Sequence, residues 1–189
     1  FNAEARQYEY NPEKAKELLK EANFDFSQTL RIVDYYGDQT TNDLIDTIIY
    51  YFDQVGIKAS HAFIQGDTTS AIYDKREYDL CYGGFAPASF QETYAVYAGN
   101  DPTYAKIRPS GPNDFDPLLE ELMQTTDTKR QDELIYQLQE VEREYLWNLP
   151  LCTLKNYTLI NSGRLDRPGG FGHEWTNYDR SMAKWSLKG

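Results

Sequence analysis

Tyr78-Asp79-Leu80-Cys81-Tyr82-Gly83-Gly84-Phe85-Ala86-Pro87-Ala88-Ser89-Phe90 is the stretch whose reading decides the fold. Tyr78, Leu80 and Tyr82 alternate with Asp79 and Cys81, which predicts a pleated strand with two unlike faces. Gly83 and Gly84 take side chains away where the strand ends, so another group can approach the backbone closely. Phe85 and Phe90 then offer flat apolar surface beside the polar Ser89. In open α/β sheets the loop at the carboxyl end of a strand is the usual place for a ligand. The plainer reading is a strand, a bend and a surface loop carrying two core aromatics.

Upstream, helix and strand periods alternate. Asn11-Pro12-Glu13 is a helix start, with an Asn able to cap, a Pro suited to the first turn and an acid at the positive end. Ala15, Leu18, Leu19 and Ala22 form the stripe of that helix. Residues 30–36 read as a strand covered in part on both sides. After the loop Gly37-Asp38-Gln39-Thr40, a helix over 41–55 places Leu44, Ile45, Ile48, Ile49, Phe52 and Val55 on one face, and Gly56 ends it. Residues 57–64 are the next strand, a short helix reaches residue 75, and the strand at 78–85 follows. Strand–helix–strand–helix–strand order requires parallel strands joined by right-handed crossovers, hence an α/β sheet with helices on its faces.

Downstream, residues 91–112 lose periodicity and are punctuated by Gly and Pro, the mark of a long loop that is functional or mobile. A helix over 113–124 turns Phe115, Leu118, Leu119, Leu122 and Met123 inward. Asp127 caps a second helix over 128–146, with Leu134, Leu138, Val141 and Tyr145 as its stripe. Residues 149–160 read as an interrupted strand, and a short final strand falls near Trp185.

Composition narrows the function. The 189 residues are 40% hydrophobic and 26% charged, ordinary for a globular chain. A net charge of −11 argues against nucleic acid or an anionic membrane surface as partner. The 16 tyrosines suit wet binding surfaces or cores with polar edges. Cys81 and Cys152 lack zinc spacing; a buried free thiol is the expected state of each, and a disulfide between neighbouring strands stays open. His61 and His173 lie in no metal-ligand spacing, and His61, inside a strand, reads as a hydrogen-bonded structural residue. No nucleophile elbow, phosphate loop or dinucleotide fingerprint is present in the sequence. Asp114 and Asp116 sit at a helix start, where they cap it and complement its dipole. Asp132, Glu133, Glu140, Glu142 and Glu144 read as a solvated helix face. No residue is therefore assigned a catalytic role, and no metal or cofactor is expected.

The ordered motifs resemble those of family 5 extracellular solute-binding proteins, the oligopeptide- and dipeptide-binding components of ABC importers. Tyr10-Asn11-Pro12-Glu13-Lys14-Ala15-Lys16-Glu17-Leu18-Leu19-Lys20-Glu21-Ala22 is similar to the family's "Y-(D/N)-P-E-K-A-K-x-L-L-x-E-A" helix. Phe52-Asp53-Gln54-Val55-Gly56-Ile57-Lys58-Ala59 is similar to its "L-x-x-I-G-I-x-V" step. Tyr78-Asp79 with Gly84-Phe85 resembles "Y-D-x-x-x-x-G-W". Phe115-Asp116-Pro117-Leu118-Leu119 and Thr126-Asp127-Thr128-Lys129-Arg130 resemble "F-D-x-L-L" and "T-D-x-x-x-R", and Leu149-Pro150-Leu151 resembles the "x-P-x-x-P-L" strand entry.

The resemblance implies a periplasmic-binding-protein type II-like lobe, with a mixed sheet and helices on both faces. It implies that residues 1–189 are the C-terminal ligand-binding lobe, with the N-terminal lobe outside this chain. The whole protein would close two lobes around a peptide-like or other small solute and pass it to an ABC permease. Its place would be extracytoplasmic, either periplasmic or lipid-anchored outside the cell membrane. The wall contributed here would comprise Tyr36, Tyr82, Gly83, Gly84, Phe85, Ala86, Ala88, Ser89, Phe90, Glu92 and Tyr94, with Phe85, Phe90 and Tyr94 at least partly exposed. One departure stands out. Ala88 occupies the place of the family's aspartate for the peptide α-amino group, and alanine offers that cation neither charge nor acceptor. Either Glu92 or the other lobe replaces it, or the solute is not a peptide, an oligosaccharide being the alternative. A glycan- or peptide-acting hydrolase is the reading from a different class, and it would need an acid/base pair that no spacing here supplies.

Overall fold

The computed structural model describes residues 8–84, 89–95, 97–99, 114–152, 159–166 and 184–188. The first helix, α1 (Pro12–Glu21), begins as its sequence dictates: the Asn11 side chain accepts from the Lys14 backbone N–H at 2.9 Å. Strand β1 (Thr29–Asp34) follows, then α2 (Gln39–Gln54) and β2 (Lys58–Phe63). The segment Ser70–Lys75 is a single wide turn of π type, closed by Arg76 N–H donating to the Ala71 carbonyl. Strand β3 is short, Leu80–Tyr82.

These strands form one parallel sheet in the order β2-β1-β3, so β1 is central and the chain reverses its direction of travel across the sheet at β1. In open sheets of this kind ligands generally bind beyond the carboxyl ends of the strands at such a switch point, here β1 and β3. The register pairs Asp34 with Phe63 on one side and with Tyr82 on the other, so these three residues form one row across the sheet. Ile45 of α2 is fully buried; Ile32 and Val33 of β1, which serve opposite faces of the sheet, are buried too, and Ile57 and Ile72 are buried with them. Each such side chain contributes about 1.5–3 kcal/mol when taken out of water. The Asp79 carboxylate ties the start of β3 to β1, accepting from the Arg31 backbone N–H at 2.7 Å and from its guanidinium at 3.2 Å.

A second core lies between α3 (Phe90–Ala95), α4 (Phe115–Gln124) and α5 (Thr128–Tyr145). Phe115, Leu119 and Leu122 of α4 meet Leu134, Ile135 and Leu138 of α5, with Tyr94 of α3 packed among them. Asp127 caps α5, accepting from Lys129 and Arg130 backbone N–H groups at 2.9 and 3.4 Å. Arg130 clamps the Glu121 carboxylate with two hydrogen bonds of 2.6 and 2.8 Å, fixing one end of the pair. Short strands β4 (Leu165–Asp166) and β5 (Ser186–Leu187) pair antiparallel.

Several sequence expectations are corrected. Met123 is 60% exposed, because the seam with α5 runs through Leu119 and Leu122 and position 123 lies off that line. Asp114 makes no capping hydrogen bond, while the Asp116 carboxylate accepts from the Gly99 N–H at 3.1 Å. Cys81 and Cys152 are both exposed, with free thiols, rather than buried. Glu142 is half-buried rather than solvated, and desolvation pushes its carboxyl up. Within the span 149–160, residues 149–152 and 159–160 are irregular, and the remainder lies outside the described residues.

Candidate binding wall at the carboxyl edge of the sheet

β1 stops at Asp34 because its side chain takes over the backbone. One carboxylate oxygen, Oδ1, accepts from the Tyr36 and Gly37 N–H groups at 2.7 and 2.9 Å. The other, Oδ2, accepts from His61 Nε2 at 2.6 Å, since an ionised carboxylate can only accept. The Asp34 residue is fully buried. Burial alone would push its carboxyl up, but hydrogen bonds from Gly37, His61 and Tyr36 outweigh this and hold it below the usual carboxylate range. His61 is thus the structural histidine its strand position suggests.

The resulting turn needs a left-handed residue, and Gly37 supplies it with φ +64°. It also needs a bare backbone, since a Cβ at Gly37 would lie 2.8 Å from the Phe63 ring. The turn throws Tyr35 and Tyr36 forward over the end of β3. Their ring centroids are 4.7 Å apart, and Tyr36 meets Tyr82 edge-on at 5.9 Å. The Gly84 N–H donates to the Tyr35 hydroxyl oxygen at 3.2 Å. A Cβ at Gly83 would stand 2.7 Å from that same oxygen, and a Cβ at Gly84 would strike the Tyr36 hydroxyl. The glycine pair therefore makes room for the protein's own tyrosines.

Electrostatically the wall is neutral at physiological pH. Desolvation, with the Tyr35 hydroxyl beside it, pushes the Tyr36 hydroxyl up to about 12. Desolvation, then the neighbouring Cys152, Asp38 and Asp34, raise the Tyr82 hydroxyl as well. Asp38 is engaged elsewhere, capping α2 through Thr41 N–H and hydroxyl at 3.1 and 2.7 Å. What remains is an aromatic surface of mutually tilted rings edged by hydroxyl groups, 42% exposed at Tyr36. Such a surface can stack on a planar or ring-shaped solute and exchange neutral hydrogen bonds with it.

Of the residues expected in the wall, the fold brings together Tyr36, Tyr82, Gly83 and Gly84. Phe85, Ala86 and Ala88 lie outside the described residues, as does the side chain of Phe90. Ser89 caps α3, its hydroxyl accepting from the Glu92 N–H at 3.1 Å, and Glu92 is exposed. Tyr94 is a correction: it is 3% exposed, because the turn of α3 directs it into the core beside Phe115. Tyr35 and the Asp34–His61 pair were not foreseen. The signal for the turn was present in Asp34-Tyr35-Tyr36-Gly37, an aspartate three residues before a glycine at a strand end. Among the described residues, no cluster of three or more His, Cys, Asp and Glu is placed to hold a metal ion. Nor is any described helix long and apolar enough to cross a membrane.

Residues 1–106 match the family model of bacterial extracellular solute-binding proteins, family 5 Middle, and the chain belongs to this family. No curated protein sequence matches. Among solved structures, the ABC transporter substrate-binding protein CtaP of Listeria monocytogenes superposes with a TM-score of 0.66 at 21% identity, over 76% of this chain and 30% of that one. A mannohexaose-bound periplasmic oligopeptide-binding protein of Thermotoga maritima gives 0.58 at 22% identity, over 74% and 30%. The periplasmic binding protein DppA of Helicobacter pylori, in complex with the peptide STSA, gives 0.64 at 19% identity, over 78% and 30%. These likenesses establish the shared fold. The present chain spans about three-tenths of the length of each of these proteins.

Proposed function

We propose that this chain is the C-terminal lobe of a solute-binding protein of an ABC importer. The complete protein captures a peptide-like solute between two lobes, outside the cytoplasm, and delivers it to a membrane permease without catalysing a reaction. The observation that carries this reading is the tyrosine wall of Tyr35, Tyr36 and Tyr82 at the carboxyl edge of a parallel sheet, in a chain of the solute-binding family. A single wall leaves much of a small ligand in water, whereas tight sites enclose most of its surface. The second lobe is what makes capture tight.

An oligosaccharide is the second reading, and a specific feature favours it: the described wall offers flat rings and neutral hydroxyls, with Asp34 and Asp38 already occupied by the protein's own donors. The test is calorimetry on the full-length protein with trialanine, N-acetyl-trialanine and mannohexaose. Binding of trialanine supports a peptide solute, and preference over the acetylated form locates an amine site. Binding of mannohexaose alone moves the assignment to sugars. No heat and no thermal shift with a wider panel of peptides and oligosaccharides overturns the proposal.

A further inference from the structure

The described wall is built from β1 and β3, yet its geometry is governed from β2. The Asp34 carboxylate divides its two oxygens between separate tasks. Oδ1 holds the turn through the Tyr36 and Gly37 N–H groups, and Oδ2, among the described residues, is met by His61 Nε2, at 2.6 Å across 27 residues of sequence. Asp34 has no exposed surface, and the His61 side chain is 16% exposed, so water is poorly placed to take over the imidazole's role. A buried carboxylate oxygen deprived of its donor is costly, and the side chain will rotate to recover one. Rotation withdraws Oδ1 from Tyr36 and Gly37. The turn then loses both of its anchoring hydrogen bonds, and Tyr36 loses the position from which it meets Tyr35 and Tyr82.

We propose that His61 is a positioning residue for the tyrosine wall, setting the turn at Tyr36 and Gly37 through the buried Asp34 carboxylate and touching no solute itself. The binding half of this inference rests on the function proposed above; the positioning half does not. Two residues further along the same strand, Phe63 closes on Gly37 from the same side, so β2 braces the turn at two points.

The experiment compares wild type, His61→Leu and His61→Gln in the full-length protein by amide hydrogen exchange. Gln places an amide N–H near the position of Nε2 and serves as the conservative rescue. The expected result is exchange at Tyr36 and Gly37 about tenfold or more faster in His61→Leu, near wild type in His61→Gln, with Ile32 and Val33 unchanged. Protection at Tyr36 and Gly37 that stays at the wild-type level in His61→Leu overturns the proposal. So does a proportional loss throughout β1, which marks a packing role only. Should the leucine variant fail to fold, His61→Asn, too short to reach Oδ2, is read by the same criteria. Calorimetry with trialanine and mannohexaose then follows whichever probe the wild type binds, with affinity expected to fall in His61→Leu and return in His61→Gln. A wild type that binds neither probe counts against the solute-binding reading, while the exchange data decide the positioning role by themselves.

Discussion

Gly83→Ala tests the wall through one of its close contacts. The new Cβ would lie 2.7 Å from the Tyr35 hydroxyl oxygen and 3.2 Å from ring atoms Cε1 and Cζ. Gly83 does not use the left-handed region, so the backbone accepts alanine and steric crowding carries the effect. Removing a glycine's freedom from the unfolded chain favours the variant by about 0.4–1 kcal/mol. The atoms struck are the far end of the Tyr35 side chain, which can swing aside because Gly83 is exposed, so the crowding costs about 1 kcal/mol, the low end of the core overpacking range. The ring must also shift, which breaks the hydrogen bond from Gly84 N–H to Tyr35, a further loss of about 0.5–1.5 kcal/mol. The net expectation is a destabilisation of about 0.5–2 kcal/mol, or a fall of roughly 1–8 °C in Tm for a chain of this size. Tyr35→Phe alone loses the hydroxyl's hydrogen bonds, with the Gly84 N–H and with Tyr36, about 0.5–1.5 kcal/mol at this partly exposed position. Combined, the two changes should cost less than their sum by about 1 kcal/mol, since phenylalanine lacks the oxygen that the Cβ strikes. Urea unfolding of the four proteins closes the cycle. Costs that add to within about 0.3–0.5 kcal/mol would show that Tyr35 does not lie against Gly83.

Three other expectations are independent of that contact. The Asp34 carboxyl is held below its unfolded value near 3.9, so its contribution to stability is complete at neutral pH and is lost as the pH falls below about 4; the Tm difference between wild type and Asp34→Asn should therefore shrink between pH 7 and pH 3, and a constant difference would refute it. Tyr94→Ala, deep in the helical core, should cost about 3–5 kcal/mol by urea unfolding, whereas Tyr36→Ala should cost far less stability and instead weaken solute binding; similar stability losses for both would contradict their placement. Both thiols should react with Ellman's reagent in the native protein, reaching two equivalents per chain on long incubation, with Cys81 slow because desolvation pushes its thiol up to about 11; fewer than two equivalents at the end point would mean that Cys81 and Cys152 are not both free and exposed.

Local chemistry wrote much of the fold openly into the sequence. Helical stripes, the Asn11 and Asp127 caps and the alternation of strand with helix yield α1, α2, α4, α5 and the parallel sheet, because each is decided by residues within a few positions of one another. The ordered motifs carried the family, and Tyr36, Tyr82, Gly83 and Gly84 were legible as a strand-end surface. Tertiary structure alone decided the rest. His61 reaches Asp34 only once two strands 27 residues apart are aligned in parallel register, and no local pattern encodes that register. Tyr94 is core rather than wall because a short helix turns it toward Phe115, a rotation of one residue that periodicity over six positions cannot specify. Gly83 and Gly84 looked like space left for a ligand; they are space taken by Tyr35 and Tyr36, whose direction depends on a turn held by a buried carboxylate. Contacts along the chain follow from propensity and period, whereas contacts between strands depend on which apolar faces find each other when the sheet closes.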